Sequence, residues 1–300
     1  MQTIRDLKIG GKRVLIRVDF NVPMDEAGNI TDDLRIQTVM PTIEYALSQK
    51  ARVILCSHMG RPKGKRIEKY SLTPVARYLS ELLDRTVPLA PDCVGSATEK
   101  MVAAMKDGDI ILLENLRFHA EEQKNDLEFA EQLARLADVY INNAFAVSHR
   151  AHASVVGVTT YVAEKAAGFL LQKELDYFHR SVDNPVRPLI AIVGGAKVSS
   201  KLGALTNMLD KVDAMLIGGA MANTFLKGQG YSVGASKVED DLLQEASRFL
   251  ADAGAKGAKV YLPVDVIAAD SFSAGAVNKQ VTIQDIPEGW MALDIGPASA

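Results

Sequence analysis

Lys197 and Lys201 stand four residues apart, directly after Gly194-Gly195-Ala196 and the apolar run Leu189-Ile190-Ala191-Ile192-Val193. Such a run reads as a strand buried on both faces, the glycine pair as a tight turn, and the lysine spacing as one face of a helix. Glycines in that turn let backbone N–H groups approach a phosphate, a helix N-terminus adds partial positive charge, and each lysine brings a mobile ammonium. The chemistry on offer is nucleotide-phosphate binding. An ordinary strand-to-helix turn with two solvated lysines accounts for the same residues, so the stretch alone leaves both readings open. It is not a P-loop, because the G-x-x-x-x-G-K-[ST] spacing is missing. A second glycine turn, Ile217-Gly218-Gly219, repeats the pattern.

A different chemistry collects in the first half of the chain. Asp19-Phe20-Asn21, His58-Met59-Gly60-Arg61, Asn115-Leu116-Arg117 and Asn143-Ala144-Phe145, with His149-Arg150 close behind, each follow a short apolar run; Arg35 follows the first run after a loop. Ligands of parallel sheets bind beyond the carboxyl ends of the strands. Arg35, Arg61, Arg117, Arg150 and His58 therefore converge on one rim. Any one of them alone reads as a solvated surface charge rather than a ligand. Together they suit a small, multiply charged anion, because arginine makes bidentate contacts with carboxylate and phosphate. Asp19 and Asn21 then bind substrate hydroxyls or hold the arginines.

Other constellations fare worse. His149 and His152 have a three-residue separation but no third ligand, so a metal pair is not expected. The basic stretch 61–69 reads as a solvated loop, and Glu121-Glu122 and Glu239-Asp240-Asp241 as helix-start or surface charge. Gly228-Gln229-Gly230 with Gly234 has the wrong spacing for a dinucleotide fingerprint. No nucleophile triad is visible.

The elements that must position these groups alternate regularly. Strands are expected at 13–18, 52–57, 87–90, 110–114 and 139–142, with helices at 36–49, 73–83, 96–105 and 127–136, a βαβ series that implies a parallel sheet with helices on both faces. A long amphipathic helix is expected over 166–183, ended by Asn184-Pro185. A second α/β series comes after it: strand 189–193, helix 198–209, strand 214–217, helices 220–227 and 240–251, strand 259–264, strands near 280–283 and 291–294, and a helix just starting at Gly296-Pro297-Ala298-Ser299. The fold class is α/β: two Rossmann-like parallel-sheet lobes joined by an interdomain helix, the second lobe incomplete. The expected division is residues 1–168 for an anion-binding domain, 169–184 for the connecting helix and 185–300 for a nucleotide-binding domain.

The chain has 300 residues, 48% of them hydrophobic, and a formal net charge of -3. That is enough to bury a large core, and it supplies no global field for nucleic acid or an anionic membrane. The start lacks an apolar signal core and no apolar run approaches the roughly 20 residues of a membrane span, so a soluble, cytoplasmic protein is expected. Cys56 and Cys93 lack metal-ligand spacing and fit a reducing compartment without a disulfide. Two anion sites on two lobes fit phosphoryl transfer with hinge closure.

The sequence resembles phosphoglycerate kinase along nearly its whole length. RVDFNVP at 17–23, SHMGRP at 57–62, ENLRF at 114–118, SHRAHAS at 148–154, VGGAKVSSK at 193–201 and IGGAMANTFL at 217–226 occur in that family's order. The resemblance implies reversible phosphoryl transfer between ATP and the carboxylate of 3-phosphoglycerate, giving ADP and 1,3-bisphosphoglycerate. Mg²⁺ comes with the nucleotide, and no prosthetic group is implied. It implies Asp19, Phe20, Asn21, Arg35, His58, Met59, Gly60, Arg61, Arg117 and Arg150 for phosphoglycerate. For the nucleotide it implies Gly194, Gly195, Ala196, Lys197, Lys201, Gly218 and Gly219, with Arg35 and Lys197 facing the transferring group. A monomer is the family expectation, without nucleic-acid or membrane partners. The sequence departs from the family pattern at Asn143, at Ala146-Val147-Ser148 and at Ala220, and it contains nothing of what the family places after GPAS. The alternative expectation is therefore an inactive fragment, or a phosphoglycerate-binding module without turnover.

Overall fold

The computed structural model describes residues 1–300 as two compact units, Met1–Tyr177 and Phe178–Ala300. In the first, β1 (Arg13–Arg17), β2 (Arg52–Cys56), β3 (Ile110–Leu112), β4 (Val139–Asn142) and β5 (Glu164–Ala167) form one parallel sheet in the order β3-β2-β1-β4-β5. Successive side chains point to opposite faces, and both faces are dry. Val14, Ile16, Val53, Leu55, Val139 and Ile141 pack on α1 (Leu34–Ser48) and α2 (Thr73–Leu82). Leu15, Ile54, Ile111 and Tyr140 pack on α3 (Ser96–Ala103), α5 (Leu127–Arg135) and α6 (Val158–Tyr161). The short α4 (Ala120–Lys124) precedes α5.

Two sequence expectations change here. Residues 87–90 make only a single bridge, Leu89 to Leu112, because Pro88 has no N–H to extend a ladder. The helix expected from residue 166 starts instead as α7 (Phe169–Phe178), and Ala166 and Ala167 belong to β5. Pairing overrides propensity: Ala167 N–H donates to the Gln2 carbonyl at 3.0 Å and Gly168 N–H to the Asn142 carbonyl at 2.8 Å. A π-helical turn, His179–Asp183, continues the helical path.

The second unit contains two small sheets. β6 (Ile190–Gly194), β7 (Ala214–Gly218) and β8 (Lys259–Tyr261) are parallel in that order. α8 (Leu202–Met208), α9 (Ala220–Gly228) and α10 (Leu243–Ala255) cover one face with Leu205, Met221, Phe225 and Phe249. The other face is open, with Ile192 82% and Tyr261 53% exposed. β9 (Asp265–Ala269) is central in an antiparallel sheet between β10 (Asn278–Thr282) and β11 (Met291–Ile295). The single strand expected at 259–264 is thus β8 alone, and β9 is an addition. Pro263 cannot donate to a ladder, and it separates the two. α8 begins four residues later than expected, after a turn over 198–201, and 297–299 form a turn rather than helix. Ser299 Oγ caps β9 by accepting from Val264 and Asp265 N–H groups at 2.9 and 3.0 Å.

No helix is long and apolar enough to cross a membrane.

Candidate functional site

The carboxyl edge of the first sheet collects the cations. Asp19, just past β1, accepts from Arg35 Nη1 at 2.7 Å and from Asn21 N–H at 3.2 Å. Asn21 Oδ1 in turn accepts from Gly60 N–H at 2.8 Å, and the Gly60 carbonyl accepts from Arg117 Nη1 at 2.8 Å. Asp19, Asn21, Arg35, Gly60 and Arg117 are therefore one hydrogen-bonded chain across three strand ends. Gly60 must be glycine here: its φ is +60°, and a Cβ would sit 2.4 Å from the Tyr70 ring.

Phe20 and Met59 have buried side chains, so they shape the edge through the backbone. Phe20 N–H donates to Ser57 Oγ, and Met59 N–H to Asn115 Oδ1. Arg61 is exposed beside Gly60. Arg150 is half-buried after the Phe145–Val147 turn, and its Nε donates to His149 Nε2 at 3.2 Å. Its charge acts on His58 and Arg117.

His58 is buried against Arg17. Arg17 Nη2 lies 3.2 Å from His58 Nδ1. A guanidinium can only donate, so Nδ1 accepts and the imidazole hydrogen sits on Nε2. Burial first, and then the charges of Arg17, Arg117 and Arg150, hold His58 neutral, with its pKa pushed down to about 2. Burial and the same neighbours lower Arg117 to about 10. Arg117 leaves Nε and Nη2 buried without a hydrogen-bond partner. A buried unsatisfied donor costs about 1–3 kcal/mol, and more when charged. The edge is thus built to be completed by an anion.

Sequence reasoning missed the supporting roles of Arg17, Ser154 and Glu122, and it named Asn115 without the role it plays. Arg17 is fully buried, donating from Nε to Ser154 Oγ at 3.0 Å and from Nη1 to the Val18 carbonyl. Ser154 Oγ donates to Glu122 Oε1 at 2.6 Å, so a buried carboxylate balances the arginine through a hydroxyl. Glu122 reads as surface charge only while its contact 32 residues away is unseen. Asn115 clamps the edge: Oδ1 accepts from Met59 and Arg117 N–H groups, and Nδ2 donates to the Met59 and Tyr70 carbonyls. His149 and His152 part company, His152 Nδ1 facing Glu122 at 3.7 Å.

In the second unit the two glycine turns touch each other. Gly218 ends β7, and Gly219 has φ +67° and leaves room for no side chain: a Cβ would meet Gly195 N at 3.0 Å. Met221 N–H donates to the Gly195 carbonyl at 2.8 Å, stitching the turn after β6 to the start of α9. Gly194, Gly195, Ala196 and Lys197 succeed one another out of β6, and Lys197 is exposed. Lys201 arches back, its Cε 2.9 Å from where a Gly195 Cβ would stand. Glu239 holds the loop between the lysines, accepting from Ser199 N–H at 3.0 Å and Ser199 Oγ at 2.6 Å. This is a positioning contact that its acidic sequence neighbourhood concealed.

A hollow of about 840 Å³ lies at the opposite edge of β6–β8. Two of its cations already pair, Arg187 with Asp213 at 2.9 Å and Lys256 with Asp210 at 2.7 Å, and it lies away from the glycine turns. The cleft beside Gly219, lined by Ala222, Asn223, Pro263 and Leu293, adjoins the glycine turns.

Comparison with known proteins gives a consistent result. The phosphoglycerate kinase family profile matches residues 4–300. Phosphoglycerate kinase of Desulfotalea psychrophila is 65% identical over 300 residues, all of this chain and 76% of that protein. That of Geobacter metallireducens is 57% identical over 289 residues, 96% of this chain and 73% of that protein. The structure of phosphoglycerate kinase from Coxiella burnetii is similar with a TM-score of 0.85 at 44% identity, covering 99% of this chain and 75% of that one. The crystal structure from Pyrococcus horikoshii gives 0.83 at 30% identity, covering 100% of this chain and 76% of that one. The chain thus spans about three quarters of the length of these relatives.

Proposed function

The chain belongs to the phosphoglycerate kinase family, and from that premise we propose that the carboxyl edge of its first sheet holds 3-phosphoglycerate while the glycine turns of its second unit hold Mg-ATP. The observation that carries the reading is Arg117, a buried guanidinium with two donors unpaired beside Arg17 and Arg150. A phosphate on phosphoglycerate supplies the missing acceptors. His58, neutral and carrying its hydrogen on Nε2, donates to the same anion. Asp19 and Asn21 bind the substrate hydroxyl and set Arg35 and Gly60.

In the reaction a carboxylate oxygen of 3-phosphoglycerate attacks the γ-phosphorus in line, the bond to the bridging oxygen of ADP breaks, and 1,3-bisphosphoglycerate forms. No proton moves and no enzyme intermediate is needed, so the chain's contribution is positioning and charge. Arg35 and Lys197 stabilise the equatorial oxygens as charge spreads onto them; one such donor contributes about 3–4 kcal/mol. Mg²⁺ arrives as part of the nucleotide and shields its phosphates. Gly194, Gly195, Ala196, Gly218 and Gly219 give the nucleotide close backbone approach, and Lys201 neutralises the phosphates behind the transferring one. Because each unit takes one substrate, the reading includes hinge closure to bring them together. On family grounds it also includes a cytoplasmic monomer.

The open face of β6–β8 favours one other reading, a module that binds phosphoglycerate without turnover. The test is ADP formation from Mg-ATP by the 300-residue chain, with and without 3-phosphoglycerate. Substrate-dependent ADP that disappears in Lys197→Ala supports the kinase. Saturable 3-phosphoglycerate binding with no ADP supports the binding module.

A further inference from the structure

Asp92, Cys93 and His119 meet outside the substrate edge. Asp92 and Cys93 lie in the bend before α3, while His119 opens α4, yet the ligand atoms of all three lie within 4.8 Å of one another. Asp92 Oδ1 is the meeting point. It is 2.7 Å from His119 Nε2 and accepts from Cys93 N–H at 2.6 Å, with the Cys93 sulfur within 4.8 Å of both side chains' ligand atoms. Three heteroatoms from two segments of the chain thus converge on one point.

The carriers are fixed independently of one another. Arg66 Nη1 donates to the Pro91 carbonyl at 2.8 Å and Thr98 Oγ1 to the Asp92 carbonyl at 2.9 Å, and the His119 ring lies against Phe129. Cys93 forms the buried floor, whereas the Asp92 and His119 side chains are 40% and 28% exposed. The space is therefore open to water from one side. One sulfur, one imidazole nitrogen and one carboxylate oxygen are the donor set of a borderline-soft, tetrahedral divalent ion with water in the fourth position. Mg²⁺ is a poor match, since it takes oxygen ligands in near-octahedral array.

We propose that Asp92, Cys93 and His119 form a Zn²⁺-type binding site in the first unit, separate from the Mg²⁺ that travels with the nucleotide. On binding, the thiol proton passes to solvent and the sulfur ligates as thiolate. The imidazole ligates through Nε2, its hydrogen moving to Nδ1 or, from the imidazolium, leaving. At least one proton is released, so affinity rises with pH. His119 lies two residues past Arg117, so the ion ties the turn bearing that arginine to the Asp92 bend.

The test is titration of the 300-residue chain with Co²⁺, a spectroscopic stand-in for Zn²⁺. The expected result is one equivalent bound, with a thiolate-to-cobalt charge-transfer band and strong four-coordinate visible bands. Zn²⁺ displaces it and Mg²⁺ does not. Cys93→Ser removes the charge-transfer band and Cys56→Ser keeps it. The part-exposed His119→Gln variant weakens binding by more than about tenfold, the least that losing even an outer contact to a ligand costs. Absence of the band in the unmodified chain, or its survival in Cys93→Ser, overturns the proposal.

Discussion

The two units present their cations in opposite ways. In the first, Arg17, Arg117 and His58 are buried, the sheet is covered on both faces, and Asp19, Asn21, Gly60 and Arg117 are hydrogen-bonded across the strand ends while two Arg117 donors stay unpaired. In the second, Lys197 is exposed, the turns are bare backbone, and one face of β6–β8 is open. A rigid, desolvated edge discriminates by geometry, since a buried donor without its acceptor is costly. Open glycine turns with mobile lysines hold phosphate with less discrimination. The difference suits a specific small acid on one side and a polyphosphate on the other.

The largest way to sharpen this contrast is in the cores. Leu133→Ala, in the fully buried layer between α5 and the first sheet, lowers unfolding free energy by about 2–5 kcal/mol, and Ile192→Thr on the open face of β6 by less than about 0.5 kcal/mol. Calorimetry resolves two transitions, the lower from the second unit, and Leu133→Ala moves only the upper one. A single sharp transition breaks the comparison.

Next is Arg35→Ala. It lowers the rate of ADP formation about 100-fold, equivalent to about 2.7 kcal/mol, and leaves nucleotide affinity within about twofold. Stability falls by less than about 1 kcal/mol, because its ion pair with Asp19 is half-exposed. Unchanged rate with weakened nucleotide binding removes Arg35 from the phosphoglycerate side.

A smaller effect comes from pH. His58 is depressed in the folded state, so below its unfolded value near 6.5 the unfolded chain binds the extra proton and stability falls as pH falls. The expected slope between pH 6 and pH 4 is up to about 1.4 kcal/mol per unit, and His58→Gln removes it. His119 acts in the opposite sense. Its value is raised by Asp92, so its contribution is complete below 6.5 and is lost as pH rises through the raised value. Urea unfolding of both single variants across pH separates the two.

The smallest is Glu239→Gln, which loosens the Ser199 loop and weakens ATP binding by about fivefold, about 1 kcal/mol, without touching phosphoglycerate binding.

Much of the candidate site was legible in the sequence because residues just past successive strands are neighbours in a parallel sheet. Asp19, His58 and Arg117 could be picked out as the polar residues just past each apolar run, and the glycine turns likewise. The parts that stayed hidden depend on contacts distant in the chain. Arg17 reads as the last residue of a strand, and only Ser154 and Glu122 reveal why a charge can be buried there. β5 has the composition of a helix start, Glu-Lys-Ala-Ala, and becomes a strand because β4 offers an edge. β9 disappeared into the strand expected before it, because its antiparallel partners lie nearer the end of the chain. The Asp92, Cys93 and His119 cluster joins segments 26 residues apart, which no local spacing marks.

The measurement that bears most directly on the assigned anion edge is calorimetric titration of the chain with 3-phosphoglycerate in the absence of nucleotide, for the unmodified protein and for Arg117→Met. The expected result is saturable one-site binding that weakens with salt, a loss of about 100-fold or more in Arg117→Met, and no loss of thermal stability in that variant, since it removes two unpaired buried donors. Equal binding by both proteins, or none by either, contradicts it.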